Sequence, residues 1–290
     1  MSMKSAVTKH PVLWFVVFTY GFSWILWALM ILSARGLLPF RFPTGPAGSF
    51  GPAFGGLATM ALMGGGAGLT AVLRRLGTVR VRPGAYLYAL FLIVVIYLAG
   101  MGLSFVLRGV RPSVQAGLPA GQAIGYLFLV LLLGGPLGEE IGWRGVLQPL
   151  LHRRRSPFVA TLTIALIWFA WHIPLFWLEG AAQKGGSIVN FAISTTAFSF
   201  LFTWLYLKAR GSLFLAILLH TSINFVSAVL APALVPSWEK DAASGLILQA
   251  LFVAAAILVV VLGRREFFRK PDAAAGARES AAAGLTPDPV

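Results

Sequence analysis

Two adjacent glutamates, Glu139 and Glu140, lie inside an apolar stretch of sequence that is long enough to form a helix. A charge within a membrane helix costs about 2.5–3.5 kcal/mol on insertion scales, so such residues usually serve a function. Arg144 follows Glu140 by four residues and can pair with it on one helix face. Glu139 points about 100° away and has no charged partner nearby in the sequence. Glu139 is therefore our first candidate for chemistry.

Three further polar residues, His172, His220 and Asn224, lie in other apolar stretches. Counting about 1.5 Å per helical residue from the expected helix ends gives depths of about 21 Å for Glu139, about 22 Å for His172, about 14 Å for His220 and about 20 Å for Asn224. His220 and Asn224 share one helix face. All four groups are thus expected near the middle of the membrane, although depth alone does not show that they meet.

These residue types are suited to hydrolysis. A glutamate and a histidine that face one water can take and return its proton, while a second histidine and an asparagine can stabilise an oxyanion. Alternatively, Glu139, His172 and His220 could hold a divalent metal such as zinc, which would activate the water. Both a metal-dependent and a metal-independent mechanism stay open. The sequence has no cysteine, no intramembrane aspartate pair and no Gly-x-Ser-x-Gly motif, which excludes several other nucleophile classes.

The elements that must position these residues are membrane helices. The chain is 58% hydrophobic and 11% charged, against roughly 25% charged residues in soluble domains. We therefore predict an all-α, polytopic helix bundle. Apolar runs of about 20 residues, enough to cross a bilayer, predict eight spans: 11–33, 47–70, 84–107, 123–151, 157–178, 188–208, 211–231 and 245–263. The first is interpreted as a retained helix rather than a signal peptide.

The net charge of +14 is distributed at the ends of the spans, which favours membrane orientation signals over a nucleic-acid surface. Most lysines and arginines fall on the side of the N-terminus, which predicts that both termini are cytoplasmic. We expect one transmembrane domain over residues 1–263, with the polar site in about 123–231. Residues 264–290 are basic and then rich in Ala, Gly, Pro and Ser, which predicts a disordered cytoplasmic tail.

Prolines and tryptophans accompany the polar residues. Pro136 and Pro174 flank the two candidate positions Glu139 and His172. Each can kink its helix beside a cavity or be an ordinary proline of a membrane helix. Trp168, Trp171 and Trp177 are expected to serve packing or the membrane interface rather than substrate contact.

The ordered motifs resemble a known family. Glu139-Glu140-x-x-x-Arg144, then His172 after an aromatic residue, then His220-x-x-x-Asn224 are similar to the three motifs of the CAAX protease and bacteriocin-processing family, called CPBP or Abi. The resemblance covers about residues 123–231. The family usually has Phe four residues before the first histidine, whereas this chain has Trp168 there, with Phe169 beside it. This departure affects the expected pocket shape more than the expected chemistry.

The resemblance implies an intramembrane endopeptidase. Glu139 and His172 would activate the water, His220 and Asn224 would stabilise the oxyanion, and Glu140 and Arg144 would support them. Family members include enzymes that trim prenylated C-termini, bacterial peptide-processing enzymes and bacteriocin self-immunity proteins. The implied partners are a peptide or lipidated-protein substrate and the lipid bilayer. Separately, the compact loops and the Arg- and Ala-rich composition predict a location in a bacterial inner membrane.

Two other functions fit the same residues. A non-catalytic immunity or scaffold protein would keep the fold without using Glu139. A transporter could use intramembrane Glu and His as a proton relay, although the sequence lacks the inverted repeat that many transporters have.

Overall fold

The computed structural model describes residues 2–110, 115–239 and 241–271, and all regular elements in these residues are helices. Within this part of the chain, eight segments are long and apolar enough to cross a membrane, which confirms the predicted helix bundle. We label them α1 (Pro11–Ala34), α2 (Pro46–Leu76), α3 (Pro83–Arg108), α4 (Ala120–His152), α5 (Pro157–Trp177), α6 (Ile188–Lys208), α7 (Leu213–Leu234) and α8 (Ala242–Leu262). The chain is an integral membrane protein.

Shorter helices flank these spans at Met3–Lys9, Pro236–Glu239 and Arg264–Phe267. The last of them lies in the segment that the sequence predicts to be a disordered tail. The greater part of that predicted tail, residues 272–290, lies outside the described residues.

Several spans contain irregular turns. A 3-10 turn, Pro46–Phe50, opens α2, whose helix Gly51–Leu76 is kinked at Gly65. In α5, the α-helix Pro157–His172 continues as a 3-10 turn, Ile173–Trp177, which contains Pro174. In α7, the helix Leu213–Phe225 passes through a π-helical turn, Val226–Leu230, into Ala231–Leu234.

The fourth span was expected to be continuous, but it is interrupted. The helix Ala120–Leu133 ends at Gly134 and Gly135, and a new helix begins at Pro136. Gly135 has a φ of +107°, which glycine adopts without steric cost. The second part runs through Pro136–Gly142, a π-helical turn at Trp143–Leu147 and Gln148–His152. The break places Glu139 in a first helical turn, where the helix dipole stabilises a negative charge.

Polar side chains fix where spans begin and how they join. Ser156, Ser187, Ser212 and Asp241 cap the N-termini of the helices that begin α5 to α8, which satisfies backbone N–H groups that have no helical partner. Arg108 at the end of α3 also pairs with Asp241. The Arg108 guanidinium and the Ser244 N–H lower the pKa of Asp241 from 3.8 to about 2.

Hydrogen bonds between spans hold α5 against α1. The Tyr20 hydroxyl donates to the Ile167 carbonyl at 2.6 Å, and the Trp24 indole N–H donates to the Trp171 carbonyl at 3.0 Å. Both acceptors lie in the segment of α5 that ends at His172. Because buried carbonyls are costly to leave without a donor, these bonds help to fix the position of that end of α5.

Glycines let α2 approach the second part of α4 closely. A Cβ atom added at Gly142 would lie 2.2 Å from the Pro52 carbonyl oxygen, and one at Gly138 would lie 2.8 Å from the Ser49 carbonyl oxygen. Small residues at helix contacts allow such backbone approach within membranes. These contacts set the position of the helix that carries Glu139 and Glu140.

We expect Gly142→Ala to lower the free energy of unfolding by about 1–3 kcal/mol, because overpacking against a backbone must displace α2 or α4. The matched control is Gly102→Ala in α3, where an added Cβ meets nothing within 4 Å. Equilibrium unfolding in mixed micelles measures both variants. Equal stability of the two variants would show that the close contact at Pro52 does not constrain the bundle.

Candidate active site

Glu139 is held by two tryptophans. Its Oε2 accepts hydrogen bonds from the indole N–H groups of Trp168 at 2.7 Å and Trp143 at 3.3 Å, and the side chain is 5% exposed. Trp143 lies one helical turn after Glu139, while Trp168 reaches it from α5. No lysine or arginine in the described part of the chain forms an ion pair with Glu139. Indole donors therefore take the place of a counter-ion.

The second oxygen of Glu139, Oε1, lies beside the break in α4. A Cβ added at Gly135 would be 2.6 Å from this Oε1 and 3.8 Å from the Asn224 amide nitrogen. The glycine thus leaves space for the carboxylate as well as permitting the turn. The Asn224 amide donates to the Gly134 carbonyl at 2.9 Å, so the same break also anchors α7.

Glu140 points away from Glu139 into a different environment. Its Oε1 accepts from Arg144 Nη1 at 2.9 Å and from His220 Nδ1 at 2.7 Å. The Arg144 guanidinium carbon also lies 3.8 Å from the ring centroid of Phe202 and 4.9 Å from that of Trp168. The Glu140–Arg144 pair expected from the sequence is therefore present, enclosed by aromatic rings, and linked to His220.

Both histidines have a defined ring orientation. The Nδ1 of His172 lies 2.7 Å from the Trp168 carbonyl oxygen, and the Nδ1 of His220 lies 2.7 Å from the Glu140 carboxylate. A carbonyl and a carboxylate are acceptors, so each Nδ1 acts as the donor. The hydrogen bond at one ring nitrogen determines the role of the other. In each neutral ring, Nε2 is therefore the nitrogen that can accept a hydrogen bond or a proton.

One cavity of about 1090 Å³ brings the four predicted catalytic residues together. Its lining includes Glu139 from α4, His172 from α5, and His220 and Asn224 from α7. The glutamate and the two histidines are buried in the bundle, while Asn224 is partly exposed. The similar depths estimated from the sequence thus correspond to a lateral meeting of three spans. Glu140 and Arg144 lie behind this cavity rather than in its lining.

The residues present do not form a three-ligand metal group. Among the described residues, no set of three or more His, Cys, Asp or Glu side chains is grouped so that it could hold a metal ion. The suggested set of Glu139, His172 and His220 is therefore not such a group, although the Nδ1 contacts of both rings leave each Nε2 available.

Trp168 and Trp143 contact Glu139 directly, and sequence reasoning missed this role. The sequence predicts a packing or interface role for Trp168, yet its indole N–H makes the shorter of the two indole hydrogen bonds to the Glu139 carboxylate. The spacing of Trp143, four residues after Glu139, could have indicated a same-face contact. Trp171 is buried against the rings of Trp27 and Trp143, as expected for packing, and it also lines the cavity that Glu139 lines.

The region that carries the candidate site is similar to known proteins. Residues 121–226, which contain all six predicted site residues, match the sequence model of the family described as type II CAAX prenyl endopeptidase, Rce1-like. The predicted family resemblance is confirmed. A curated relative, "CAAX prenyl protease 2" from Methanococcus maripaludis, is 34% identical over 148 residues, which are 49% of this chain and 52% of the relative. The chain thus spans about half the length of the curated relative that it matches.

Proposed function

We propose that the protein is an intramembrane endopeptidase. It hydrolyses a peptide bond near the C-terminus of a prenylated or other membrane-associated peptide or protein. The observation that carries the proposal is the meeting of Glu139, His172, His220 and Asn224 at one cavity in the bundle. The match of residues 121–226 to the Rce1-like endopeptidase family supports the same reaction class.

The two oxygens of Glu139 have different tasks. Oε2 is occupied by the two indole N–H donors, so Oε1, beside Gly135, is the oxygen that accepts the proton of the attacking water. His172 Nε2 accepts the second hydrogen bond of this water and orients its lone pair. Such positioned acid–base groups typically contribute about 10²–10⁴-fold to a rate.

The oxyanion that forms on the attacked carbonyl lies near α7. An amide nitrogen has two N–H donors, and Asn224 uses one of them for the Gly134 carbonyl, which leaves the other for the oxyanion. His220 donates from Nε2 when that nitrogen is protonated, and Glu140 then offsets the positive charge of the ring through Nδ1. Arg144 holds Glu140 in place for this task.

Bond changes follow from these positions. The water oxygen forms a bond to the carbonyl carbon while Glu139 takes one proton. The tetrahedral intermediate then collapses, the carbon–nitrogen bond breaks, and the proton on Glu139 passes to the leaving amine. The products are a new carboxylic acid, which loses the remaining water proton to the released amine, and a peptide that begins with this amine. We further propose a bacterial inner membrane as the location. The distribution of basic residues favours a cytoplasmic position for both termini.

The test is cleavage of a peptide library, with prenylated and with unmodified C-termini, by purified protein in liposomes. Wild type, Glu139→Ala and His172→Ala are assayed with and without a strong chelator. Loss of cleavage in both variants supports the proposed site, and insensitivity to the chelator supports metal-independent hydrolysis. Equal cleavage by all three proteins would reject the site. An absence of cleavage by wild type on every peptide would favour the immunity or scaffold alternative.

We expect Trp168→Phe to lower kcat by about tenfold with little change in KM. The variant keeps an aromatic ring but removes a hydrogen bond to a charged group, worth about 1.5–3 kcal/mol. We expect a loss at the lower limit of this energy range because the CAAX protease family pattern has Phe at this position. The hydrogen bond from Trp168 therefore assists the reaction without being required. Trp177→Phe is the control, since Trp177 is 47% exposed and is absent from the cavity lining. Equal kcat values for the two variants would contradict a positioning role for Trp168.

A further inference from the structure

Contacts between loops define one end of the bundle, which we call the terminal end because the described chain begins and ends there. Lys208 at the end of α6 pairs with Glu266, which follows α8. Before α7, the Ser212 hydroxyl donates at 2.6 Å to the carbonyl of Thr78, which follows α2. The terminal end therefore includes the ends of α2, α6 and α8 and the start of α7. The start of α1 lies there too, because α1 leads to the opposite start of α2.

The cavity that holds the candidate site opens at the other end of the bundle. Its outer lining includes Thr44 and Gly45, which directly precede α2, and Glu179 and Ala182, which lie between α5 and α6. All four residues are exposed. Among the described residues, none from the loops that join spans at the terminal end lines this cavity. The mouth of the cavity therefore faces away from the terminal end.

The candidate site lies closer to this mouth than to the terminal end. His172 is about 22 Å from the start of α5 at Pro157. It is only about 8–10 Å from the end of this span at Trp177, which runs through a 3-10 turn. A substrate that came from the terminal end would have to cross the greater part of the bundle to reach His172.

A buried polar layer closes the bundle between the site and the terminal end. Gln148 lies one helical turn beyond Arg144, and its side-chain amide donates to the Thr203 hydroxyl at 3.4 Å. The hydroxyls of Thr161 and Thr203 are 2.8 Å apart. Each of these side chains is at most 1% exposed. Because the layer joins α4, α5 and α6 by hydrogen bonds, the three spans are held together below the site.

The distribution of charge favours a cytoplasmic position for the terminal end. Most of the 23 lysines and arginines lie at this end of the spans or in the segments beside it. Cytoplasmic segments of membrane proteins carry an excess of these residues. With this orientation, the mouth of the cavity lies on the extracytoplasmic face of the membrane.

We propose, on the basis of the hydrolysis and the orientation proposed above, that the cavity receives its substrate from the extracytoplasmic face. The cavity has an aromatic inner wall that includes Phe191 and Phe252, and a polar rim that includes Thr44 and Gln183. The ring centroid of Phe191 is 4.9 Å from that of His172, so an apolar side chain beside the cleaved bond contacts Phe191. The substrate class is a membrane-associated peptide that is exposed at the outer surface and has apolar residues at the cleavage site.

The experiment measures from which side the cavity can be reached, and it does not require hydrolysis. The sequence has no cysteine, so a single introduced thiol is the only target of a membrane-impermeant maleimide. Ser194→Cys reports on the cavity, which Ser194 lines. Ser199→Cys is the matched control in the same span, since Ser199 is 1% exposed and absent from the lining. Val79→Cys marks the terminal end, where Val79 is 43% exposed between α2 and α3.

We expect the maleimide to label Ser194→Cys in spheroplasts at least tenfold faster than Ser199→Cys, and to label Val79→Cys only in inverted membrane vesicles. Labelling of Ser194→Cys and Val79→Cys from the same side would overturn the proposal, because the cavity would then open at the terminal end. Labelling of Ser194→Cys only in inverted vesicles would place the mouth in the cytoplasm. Labelling no faster than that of Ser199→Cys from either side would show that the cavity is closed. Both results would overturn the proposal as well.

Cleavage from each side separates this proposal from the proposed hydrolysis. Sealed vesicles of both orientations receive a membrane-impermeant peptide library, with Glu139→Gln as the inactive control. We expect at least tenfold faster cleavage when the peptides are added to the face from which Ser194→Cys is labelled. Cleavage only from the terminal end would support the hydrolysis and overturn the entry route. The expected labelling without cleavage of any peptide would reject the hydrolysis and leave the extracytoplasmic opening established.

Discussion

Replacing Glu139 by glutamine is expected to lower the rate of peptide hydrolysis by about 10²–10⁴-fold, the usual contribution of a general base. Glutamine has nearly the shape of glutamate, and its carbonyl oxygen can still accept the Trp168 and Trp143 indole hydrogen bonds that Oε2 accepts now. The variant therefore keeps the local structure but has no carboxylate to take the proton of water. We expect a reduced kcat and an unchanged thermal unfolding midpoint.

The control for this substitution is Glu266→Gln. Glu266 is a glutamate outside the spans that pairs with Lys208, and the same chemical change there should leave hydrolysis at the wild-type rate. Single-turnover kinetics on the peptide identified by the library separates the chemical step from product release. A wild-type single-turnover rate in Glu139→Gln would rule out Glu139 as the base and with it the proposed mechanism.

The sequence was sufficient to predict the spans and to select the polar side chains that line one cavity. Each apolar run has bilayer length, and a charge inside such a run is rare enough to be informative. Depth counted along straight helices correctly grouped Glu139 with His172 and Asn224, because helix rise is nearly constant. The pairing of Glu140 with Arg144 was also accessible, since both lie on one helix face.

Contacts between spans could not be predicted in the same way. The hydrogen bond from Trp168 to Glu139 and the one from His220 to Glu140 depend on the rotation of α5 and α7 relative to α4. Hydrophobic periodicity gives little information on this rotation when a helix is apolar on all sides. The break at Gly134 and Gly135 was missed for a related reason: two glycines in an apolar run are compatible with a continuous helix.

Replacing Arg144 by methionine is expected to destabilise the fold by about 3–5 kcal/mol, because removal of one partner from a buried ion pair leaves an uncompensated charge. Glu140 is 0% exposed, and its Oε2 has no hydrogen-bond partner among the described residues. It would retain only the hydrogen bond from His220. Methionine fills similar space between Phe202 and Trp168. The measured loss of stability therefore reflects the removed charge rather than a new cavity. Arg41→Met, at an exposed loop position, should change stability by about 0.5 kcal/mol or less.

The double variant Glu140→Gln/Arg144→Met separates the structural role of the ion pair from its role in the reaction. Because both charges are removed together, it should be more stable than Arg144→Met alone, with a coupling energy of about 0.5–3 kcal/mol in a double-mutant cycle. Its hydrolysis rate should nevertheless stay low, since glutamine cannot offset the charge of a protonated His220. Recovery of stability together with the wild-type rate would mean that Glu140 serves the fold alone. Strictly additive losses of stability would mean that the two side chains do not interact as the 2.9 Å contact indicates.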